Sequence, residues 1–388
     1  MSAVIDILAE LVAIDSVNPE WGGPGEAGIA RYLHACCEER GIETHDHEVL
    51  PGRANLYARI PGRDTSRAIL FEAHMDTVAA GEMTIPPFDP VIRDGRLFGR
   101  GACDVKAGLA GMLHAIRTLA EEDELPACDV WLAAVIDEEH AYRGVLGAID
   151  WFQARGVAPE AAVVAEPTEL RVVRANKGVL RFTIETMGVA SHSAKPHLGR
   201  NAIVTMATVI ARIEDHHAAL SRRSHPLVGA ATGSIGIIRG GTQVNVVPDQ
   251  CEIAIDRRLL PGETGEAALA EYRVTLEEFS SDEVRIGSPS LCDEAMETPG
   301  DAEVVGVASR VLTALGEEPA PIGVPYGCDC TKLSRAGIPS IIFGPGSIDQ
   351  AHGAREFVEV AQVEKATTFY RRFATEFTGV SSGEAPVR

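Results

Sequence analysis

The sequence has no apolar run long enough to span a bilayer, and its first residues, MSAVIDILAELVAIDS, lack the basic segment of a secretion signal. Basic residues are also scarce: 35 lysines and arginines stand against 56 aspartates and glutamates, for a formal net charge of −21. This charge argues against nucleic acids and anionic membranes as partners. An acidic substrate is still possible, because a local group of Arg or Lys can override the average.

The eight cysteines do not have the spacing of a disulfide framework. Cys36 and Cys37 are adjacent, and Cys328 and Cys330 are too close together for a usual zinc knuckle. Unpaired thiols are typical of a reducing compartment. Together with the missing secretion signal, they predict a cytoplasmic protein.

With 388 residues the chain is long enough for two domains or more. In the first part the apolar periodicity alternates between the strand and the helix pattern. It predicts helices over residues 4–14, 25–40, 105–121 and 144–153, and strands over 45–49, 55–60, 68–73, 130–136 and 161–165. This alternation is typical of a layered α/β domain whose central strands are buried.

The pattern changes after residue 171. It predicts a strand over 179–186, a helix over 201–220, strands over 232–238 and 244–256, a helix over 265–279 and a short strand over 284–286. This order is that of a ferredoxin-like α+β unit. The α/β pattern then returns, with a helix over 302–315, a strand over 340–343 and a helix over 360–377. We therefore predict a catalytic domain over 1–174 and 289–388, an inserted domain over 175–288, and a loose tail from about residue 379.

Acidic and histidine residues follow five separate apolar runs. They are His74 and Asp76 in LFEAHMDTV, Asp104 in GRGACDVKAG, Glu138 and Glu139 in AAVIDEEH, Glu166 in AVVAEPTE, and His352 in GPGSIDQAHG. Active sites of α/β sheets lie where the strands end. Imidazoles and carboxylates are ligands of zinc-type ions, and this set suffices for two ions with one carboxylate left to act as a base. The inventory matches that of metal-assisted hydrolysis.

His74 and Asp76 are two residues apart, so in a strand they share one face. His74 would bind metal through one ring nitrogen while Asp76 accepts the proton of the other. Each acidic or histidine segment also has a purely structural explanation. The alternatives are a core histidine bonded to an aspartate for His74 and Asp76, a helix N-cap for Asp104, solvated strand ends for Glu138, Glu139 and Glu166, and a solvated loop for His352. Asp137 is most simply a solvated or structural acid. The occurrence of all five segments at strand ends favours the metal site.

The chain resembles the family of acetylornithine deacetylase, succinyl-diaminopimelate desuccinylase, aminoacylase-1 and carboxypeptidase G nearly end to end. The matching strings are HMDTV, GRGACDVKAG, DEE, AEPT, SHSAKPHLGRNAI, NVVPDQCEIAIDRRLLP and GPGSIDQAH. The resemblance implies a three-layer, mixed-sheet catalytic domain with an inserted lid and dimerisation domain. It also implies two zinc ions per subunit: one held by His74 and Glu166, the other by Glu139 and His352, with Asp104 bridging, Asp76 orienting His74 and Glu138 as general base. A cis peptide after Asp104 is expected as well.

In the inserted domain the resemblance implies a homodimer interface and places His192 in the active site of the partner subunit. It assigns substrate contacts to Arg257, Asn245 and Lys177. Bland alternatives are a loop-capping role for His192 and solvated charges for Arg257 and Lys177. The sequence departs from the family pattern at His140-Ala-Tyr and at Cys328 and Cys330, which flank Asp329. Since both departures are expected near the substrate pocket, they leave the substrate open.

The predicted activity is hydrolysis of the amide bond of an N-acyl amino acid, by a deacetylase or desuccinylase. A dipeptidase or carboxypeptidase-G-like enzyme is the alternative, since it would have the same metal site. A non-catalytic binding protein would not need Glu138 as a base. An oxidoreductase is rejected, because GRGACDVKAG lacks the GxGxxG spacing. Zinc is the expected metal, although cobalt or manganese also fits these ligands.

Overall fold

The computed structural model describes residues 2–378, so the tail predicted from residue 379 lies outside the described residues. The chain forms two compact units. The larger comprises the chain up to Arg174, Thr298–Ile322 and the chain from Cys328, and the smaller comprises Ala175–Glu297 and Gly323–Gly327. The chain therefore returns from the smaller to the larger unit after Glu297, and not after residue 288 as predicted. The reason is that the strand Leu291–Asp293 pairs with the strand Gly178–Met187 of the smaller unit.

The larger unit is built on a mixed sheet whose centre is parallel. In spatial order its strands are Glu43–Leu50, Arg53–Ile60, Cys128–Val135, Asp64–His74, Ala161–Val164 and Ser340–Ile342. The last four run parallel to one another. Arg53–Ile60 pairs in antiparallel fashion with both of its neighbours, Glu43–Leu50 and Cys128–Val135. Every residue of Cys128–Val135 and of Ala161–Val164 is buried. These strands, apolar apart from Asp129, are covered on both faces, as is typical of parallel sheets.

Helices cover both faces of this sheet, which gives the predicted three layers. One layer contains the helices Ala3–Ala13, Ala27–Glu38, Lys106–Glu121, Glu303–Leu315 and Val360–Glu376. The opposite face carries Arg143–Ala154 and Cys330–Arg335, with the short helix Glu138–Ala141. Phe71 points into the first layer, where its ring lies 5.7 Å from that of Tyr370. Burying each such side chain contributes about 1.5–3 kcal/mol.

A small antiparallel sheet lies beside the main one in the larger unit. Its strands are Val91–Arg93, Arg96–Phe98 and Phe357–Glu359, and Phe357 pairs with Phe98. The sequence pattern did not predict it, because each strand is only three residues long and at least partly exposed. This sheet joins the segment after His352 to the segment before Asp104.

The smaller unit has the predicted β-α-β-β-α-β order. Its antiparallel sheet has the spatial order Thr232–Gly240, Gln250–Leu259, Gly178–Met187 and Val284–Ile286. The helices Ala202–Leu220 and Gly265–Thr275 pack on one face, and the strand Gln250–Leu259 alternates between buried and more exposed residues. This alternation is expected for a sheet covered on one side only.

The remaining strands are short, and several differ from the predictions. They are Val173–Asn176, Ser191–His192, Ser224–His225, Gly229–Ala230, Val246–Val247, Met296–Glu297 and Ile322–Val324. The single strand predicted over 244–256 is interrupted between Val247 and Gln250, where Pro248 has no N–H for a ladder. Across residues 2–378, no helix has the length and apolarity needed to cross a membrane.

Candidate metal centre

The acidic and histidine side chains after the parallel strands of the larger unit converge at one edge of the sheet. His74 ends the strand Asp64–His74, while Glu139 and Glu166 follow Cys128–Val135 and Ala161–Val164. Two triads form, His74–Asp104–Glu166 and Asp104–Glu139–His352, and in each triad the three potential ligand atoms lie within 4.8 Å of one another. Parallel strands bring their carboxyl ends to one edge, which explains why residues so distant in sequence meet here.

Asp104 belongs to both triads. Its Oδ1 lies 3.2 Å from Nε2 of His74, and its Oδ2 lies 3.2 Å from Nε2 of His352. Oε1 of Glu139 is 3.1 Å from the same His352 nitrogen. One carboxylate therefore presents one oxygen to each cluster, which is the arrangement of a bridging ligand.

The two histidines lie in a strongly negative environment. Hydrogen bonds to Asp104 and then to Glu139 raise the pKa of His352 to about 10. Burial by itself lowers the pKa of His74, but the hydrogen bond to Asp104 and the charge of Glu138 outweigh it and raise that pKa well above its usual value. Burial opposes ionisation of Asp104, yet hydrogen bonds from both histidines hold its pKa below the usual range.

The remaining carboxyls of the site are penalised by burial. Desolvation, followed by the repulsion of neighbouring acids, raises the pKa of Glu138 and Glu166 well above the usual value and also raises that of Glu139. Several buried acids in one place are unfavourable unless a cation compensates them. The donor set, two imidazoles and three carboxylates in two triads, therefore fits a pair of divalent cations.

Asp76 is buried beside this site, but its contacts differ from the prediction. Nδ1 of His74 donates to the main-chain carbonyl oxygen of Asp76 at 3.0 Å, and the nearest carboxylate oxygen is 3.7 Å away. The carboxylate instead accepts the N–H groups of Glu138 at 3.1 Å and Glu139 at 3.3 Å, together with Nδ2 of Asn18. In this structure Asp76 orients His74 through its backbone and the Glu138–Glu139 turn through its side chain.

Asp137 is a structural acid and not a solvated one, so the second of its two predicted interpretations is correct and the first is wrong. It is fully buried, has a left-handed φ of 66°, and accepts hydrogen bonds from Arg53 and Asn18, both at 3.1 Å. Arg53 also pairs with the buried Glu26. This network holds the backbone at the start of the helix Glu138–Ala141. The sequence offered little signal for it, since its members come from four separate segments.

The peptide bond between Asp104 and Val105 is cis, as the resemblance implied. A further feature, which the sequence reasoning missed, is a second pair of acids. Glu72 and Asp329 are buried, and burial raises the pKa of Asp329 to about 7. Glu72 lies two residues before His74 on the same strand. A charged residue inside the apolar run LFEAH was the available signal.

In the smaller unit, the structure does not support Arg257 as a substrate contact. Its side chain is fully buried, and Nη2 donates to both carboxylate oxygens of Glu263 at 2.9 and 3.0 Å. Its neighbour Arg258 points to the opposite face of the strand, keeps its side chain 32% exposed and contacts Asp256 at 2.7 Å. Strand alternation was the signal that distinguishes the two arginines.

The other three predicted residues of the smaller unit have mainly local contacts. His192 is exposed and accepts the N–H of Ala194 at 3.1 Å through Nδ1, which is the loop-capping alternative. Asn245 is also exposed. Lys177 is buried, and its Nζ donates to the carbonyl oxygen of Ala230 at 2.5 Å. The solvated alternative for Lys177 is therefore wrong.

Comparison with known proteins agrees with this fold. Residues 70–376 match the model of Peptidase family M20/M25/M40, and the chain belongs to this family. It is therefore a hydrolase of the amidohydrolase and peptidase class. An acetylornithine deacetylase of Myxococcus xanthus is 31% identical over 385 residues, covering 96% of this chain and 97% of the relative. A succinyl-diaminopimelate desuccinylase of Cereibacter sphaeroides is 29% identical, covering 96% and 98%.

Among solved structures, the chain is similar to a Bacillus subtilis protein described as a dinuclear metal binding peptidase of the M20 family. The two share a TM-score of 0.73 and 19% identity, and the match covers 96% of each chain. At this identity the likeness shows the fold. It confirms the mixed-sheet α/β class that the sequence predicted.

Proposed function

We propose that the protein hydrolyses the amide bond of an N-acyl amino acid, as a deacetylase or desuccinylase, at a two-cation centre. The observation that supports this most is the pair of ligand triads that share Asp104. The names of the curated relatives, a deacetylase and a desuccinylase, favour an acyl amino acid as the substrate.

The proposed ligands are His74 and Glu166 for one cation and Glu139 and His352 for the other, with Asp104 between them. Divalent cations held there would polarise the amide carbonyl and lower the pKa of a water molecule. Zinc is our first choice, because imidazole and carboxylate ligands suit it, while cobalt and manganese fit the same donors. The description of the Bacillus subtilis structure as dinuclear is consistent with two cations.

Glu138 is proposed as the general base and later the general acid. It is half-buried beside the triads but is a member of neither, so its carboxylate is available for proton transfer, and burial raises its pKa above the usual value. Its carboxylate accepts a proton from the attacking water and then delivers one to the leaving amine. Asp76 holds the N–H of Glu138, so the orientation of this base depends on a contact within the larger unit.

In the smaller unit, Arg258 replaces Arg257 as our proposed contact for the substrate carboxylate. Both arginines have a carboxylate partner, but the side chain of Arg258 is 32% exposed, whereas that of Arg257 is fully buried against Glu263. A guanidinium can bind a carboxylate through two parallel hydrogen bonds. His192 is retained as a proposed partner-subunit residue, and Asn245 as a substrate contact, because both side chains are exposed.

The adjacent acids Glu138 and Glu139 provide the decisive test. Glu138→Gln should keep both cations and lose about 10²- to 10⁴-fold in kcat. Glu139→Gln changes the same atoms one residue later and should instead lose bound metal. The measurements are elemental analysis and turnover of a panel of N-acetyl and N-succinyl amino acids and dipeptides. Substantial turnover by Glu138→Gln would refute the base assignment. Turnover of the dipeptides alone would favour the peptidase alternative.

The predicted homodimer through the smaller unit is also a proposal. Thr232–Gly240 is an edge strand, and it exposes Ile237 and Ile238, the latter to 56%. In the same unit, the helix Ala202–Leu220 also exposes an apolar side chain, Val204, to 64%. Exposed apolar edges of this kind are typical of surfaces that a second copy covers. Light scattering should give a dimer for the wild type and a monomer for Ile238→Asp, while a monomeric wild type would exclude the proposal.

A further inference from the structure

Glu356 is a completely buried acid that lies outside both ligand triads. It follows His352 in the chain and immediately precedes the strand Phe357–Glu359. It lies outside the motif GPGSIDQAH and takes no part in the proposed chemistry. A buried carboxylate is costly unless it is paired and hydrogen-bonded, so its contacts indicate what it does.

All four hydrogen bonds of the Glu356 carboxylate go to the turn that carries Asp104. Oε1 accepts the main-chain N–H of Cys103 at 2.9 Å and of Asp104 at 3.0 Å. Oε2 accepts the N–H of Gly101 at 3.0 Å and Nη1 of Arg100 at 2.7 Å. Within residues 2–378 these three N–H groups have no other acceptor. One side chain therefore satisfies the three main-chain donors of the turn that are otherwise unpaired in this part of the chain.

The turn itself leaves little freedom for adjustment. Gly101 has a φ of +79°, and a Cβ there would lie 2.9 Å from side-chain atoms of both Lys106 and Thr77. The other arm of Arg100 donates to the carbonyl oxygen of Ala79 at 2.9 Å. The position of the Asp104 carboxylate thus depends on a tightly packed turn whose polar groups converge on Glu356.

The backbone around Glu356 is bonded to the segment that precedes the Asp104 turn. The carbonyl of Glu356 accepts the N–H of Gly99 at 3.1 Å, and the next residue, Phe357, pairs with Phe98. The carbonyl of Ala354 accepts the N–H of Thr84 at 2.9 Å. The same short segment therefore bears a metal-ligand candidate at one end and the anchor of the Asp104 turn at the other.

We infer that Glu356 is a positioning residue of the metal centre: its carboxylate sets the Asp104 turn against the His352 loop, and so holds the ligands of the second triad in place. This inference rests on the proposed two-cation function. It concerns a group that is not among the proposed metal ligands or substrate contacts. Both triads depend on it through Asp104, and the second depends on it more, because Asp104 and His352 are both carried by loops, whereas His74 of the first triad ends a strand of the sheet.

The test is a calorimetric titration of the metal-free protein with Zn²⁺, which measures its zinc affinity. Glu356→Gln keeps the shape of the side chain but turns an NH₂ group toward main-chain donors. We expect it to weaken zinc binding about 10- to 100-fold, as removal of outer-shell partners of metal ligands does. Glu356→Asp keeps the charge on a shorter stem and should give an intermediate loss. Glu359→Gln is the matched control, because this neighbouring acid pairs at the surface with Arg96 and should leave zinc affinity unchanged.

Circular dichroism establishes that each variant is folded at the titration temperature, and Glu356→Asp decides the question if Glu356→Gln does not fold. A folded Glu356 variant with wild-type zinc affinity would overturn the inference, as would an equal loss in Glu359→Gln. If the wild-type protein itself binds no zinc, cobalt or manganese, the proposed function fails. If the wild type binds two cations and the Glu356 variants bind them equally well, only the positioning role fails.

Discussion

Asn18 donates a hydrogen bond of 2.7 Å from Nδ2 to Oδ2 of Asp76, and both side chains are buried. The same nitrogen reaches Asp137 at 3.1 Å. The Asn18 amide thus lies between the carboxylates of Asp76 and Asp137. Asp137 precedes Glu138 in the chain, and Asp76 accepts the N–H groups of Glu138 and Glu139. The amide is placed there by the break Ser-Val-Asn-Pro that ends the first helix, far from the residues that it serves.

Asn18→Leu should destabilise the protein and lower kcat. The change removes hydrogen bonds to two buried charges, each of which contributes about 1.5–3 kcal/mol. Thermal unfolding and turnover measure the two effects. Glu20→Ala, at an exposed neighbouring position, should change neither by much. A folded Asn18→Leu variant with wild-type stability would show that the contact is dispensable.

Gly233→Ala should destabilise the smaller unit, because a Cβ at this position would lie 2.4 Å from Nε2 of His217. Overpacking of this kind costs about 1–3 kcal/mol. Gly236→Ala on the same strand has nothing within 4 Å and serves as the control, with a change of about 0.5 kcal/mol or less. Urea unfolding of the two variants compares them directly. Equal midpoints would contradict the close packing of His217 against this strand.

Arg257 and Arg258 should separate stability from substrate binding. Arg257→Met leaves Glu263 without its buried partner and should cost about 3 kcal/mol of stability. Arg258→Met should change stability less, but raise KM for an N-acyl amino acid about 10- to 100-fold, the value of a lost charge-assisted contact. Thermal unfolding and steady-state kinetics distinguish the two. The reverse pattern would return the substrate role to Arg257.

His217 should make the smaller unit sensitive to acid. Burial lowers the pKa of His217, and the nearby Arg257 lowers it further, while Glu214 on the same helix opposes both. The hydroxyl of Tyr272, from the other helix, lies 2.9 Å from Nε2. Because the folded pKa lies below the unfolded value, the unfolded state binds more protons at low pH. The stability contribution is complete above about pH 6.5 and is lost as the pH falls through the folded pKa.

The measurement is urea unfolding of the whole protein at pH 8 and pH 5.5. Hydrogen exchange in the helix Ala202–Leu220 reports the unfolding of the smaller unit. His217→Gln should show a smaller loss of stability between these pH values than the wild type does. The neighbouring His216, whose pKa burial also lowers, provides a second variant for comparison. An unchanged pH dependence in both variants would exclude the histidines as its source.

Three of the candidate ligands, His74, Glu139 and Glu166, could be predicted from sequence because each stands at the end of an apolar strand, and parallel strands end at a common edge. Residues such as His74 and Glu166 can therefore be recognised from the local sequence around them. Arg257 shows where this reasoning stops. A motif places a charge on a strand, but the face to which it points depends on register, and register is decided by pairing with Gly178–Met187.

The amino-acid sequence by itself determined the α/β class, the order of elements in the inserted segment and the types of ligand available, because periodicity and strand-end chemistry are local properties. Only the tertiary structure decided that Asp104 presents one oxygen to each histidine, that Asn18 lies between two acids, and that Glu356 holds the Asp104 turn. Those relations join residues up to 256 positions apart. They arise from the burial of polar groups, which must find partners wherever the packed chain places them.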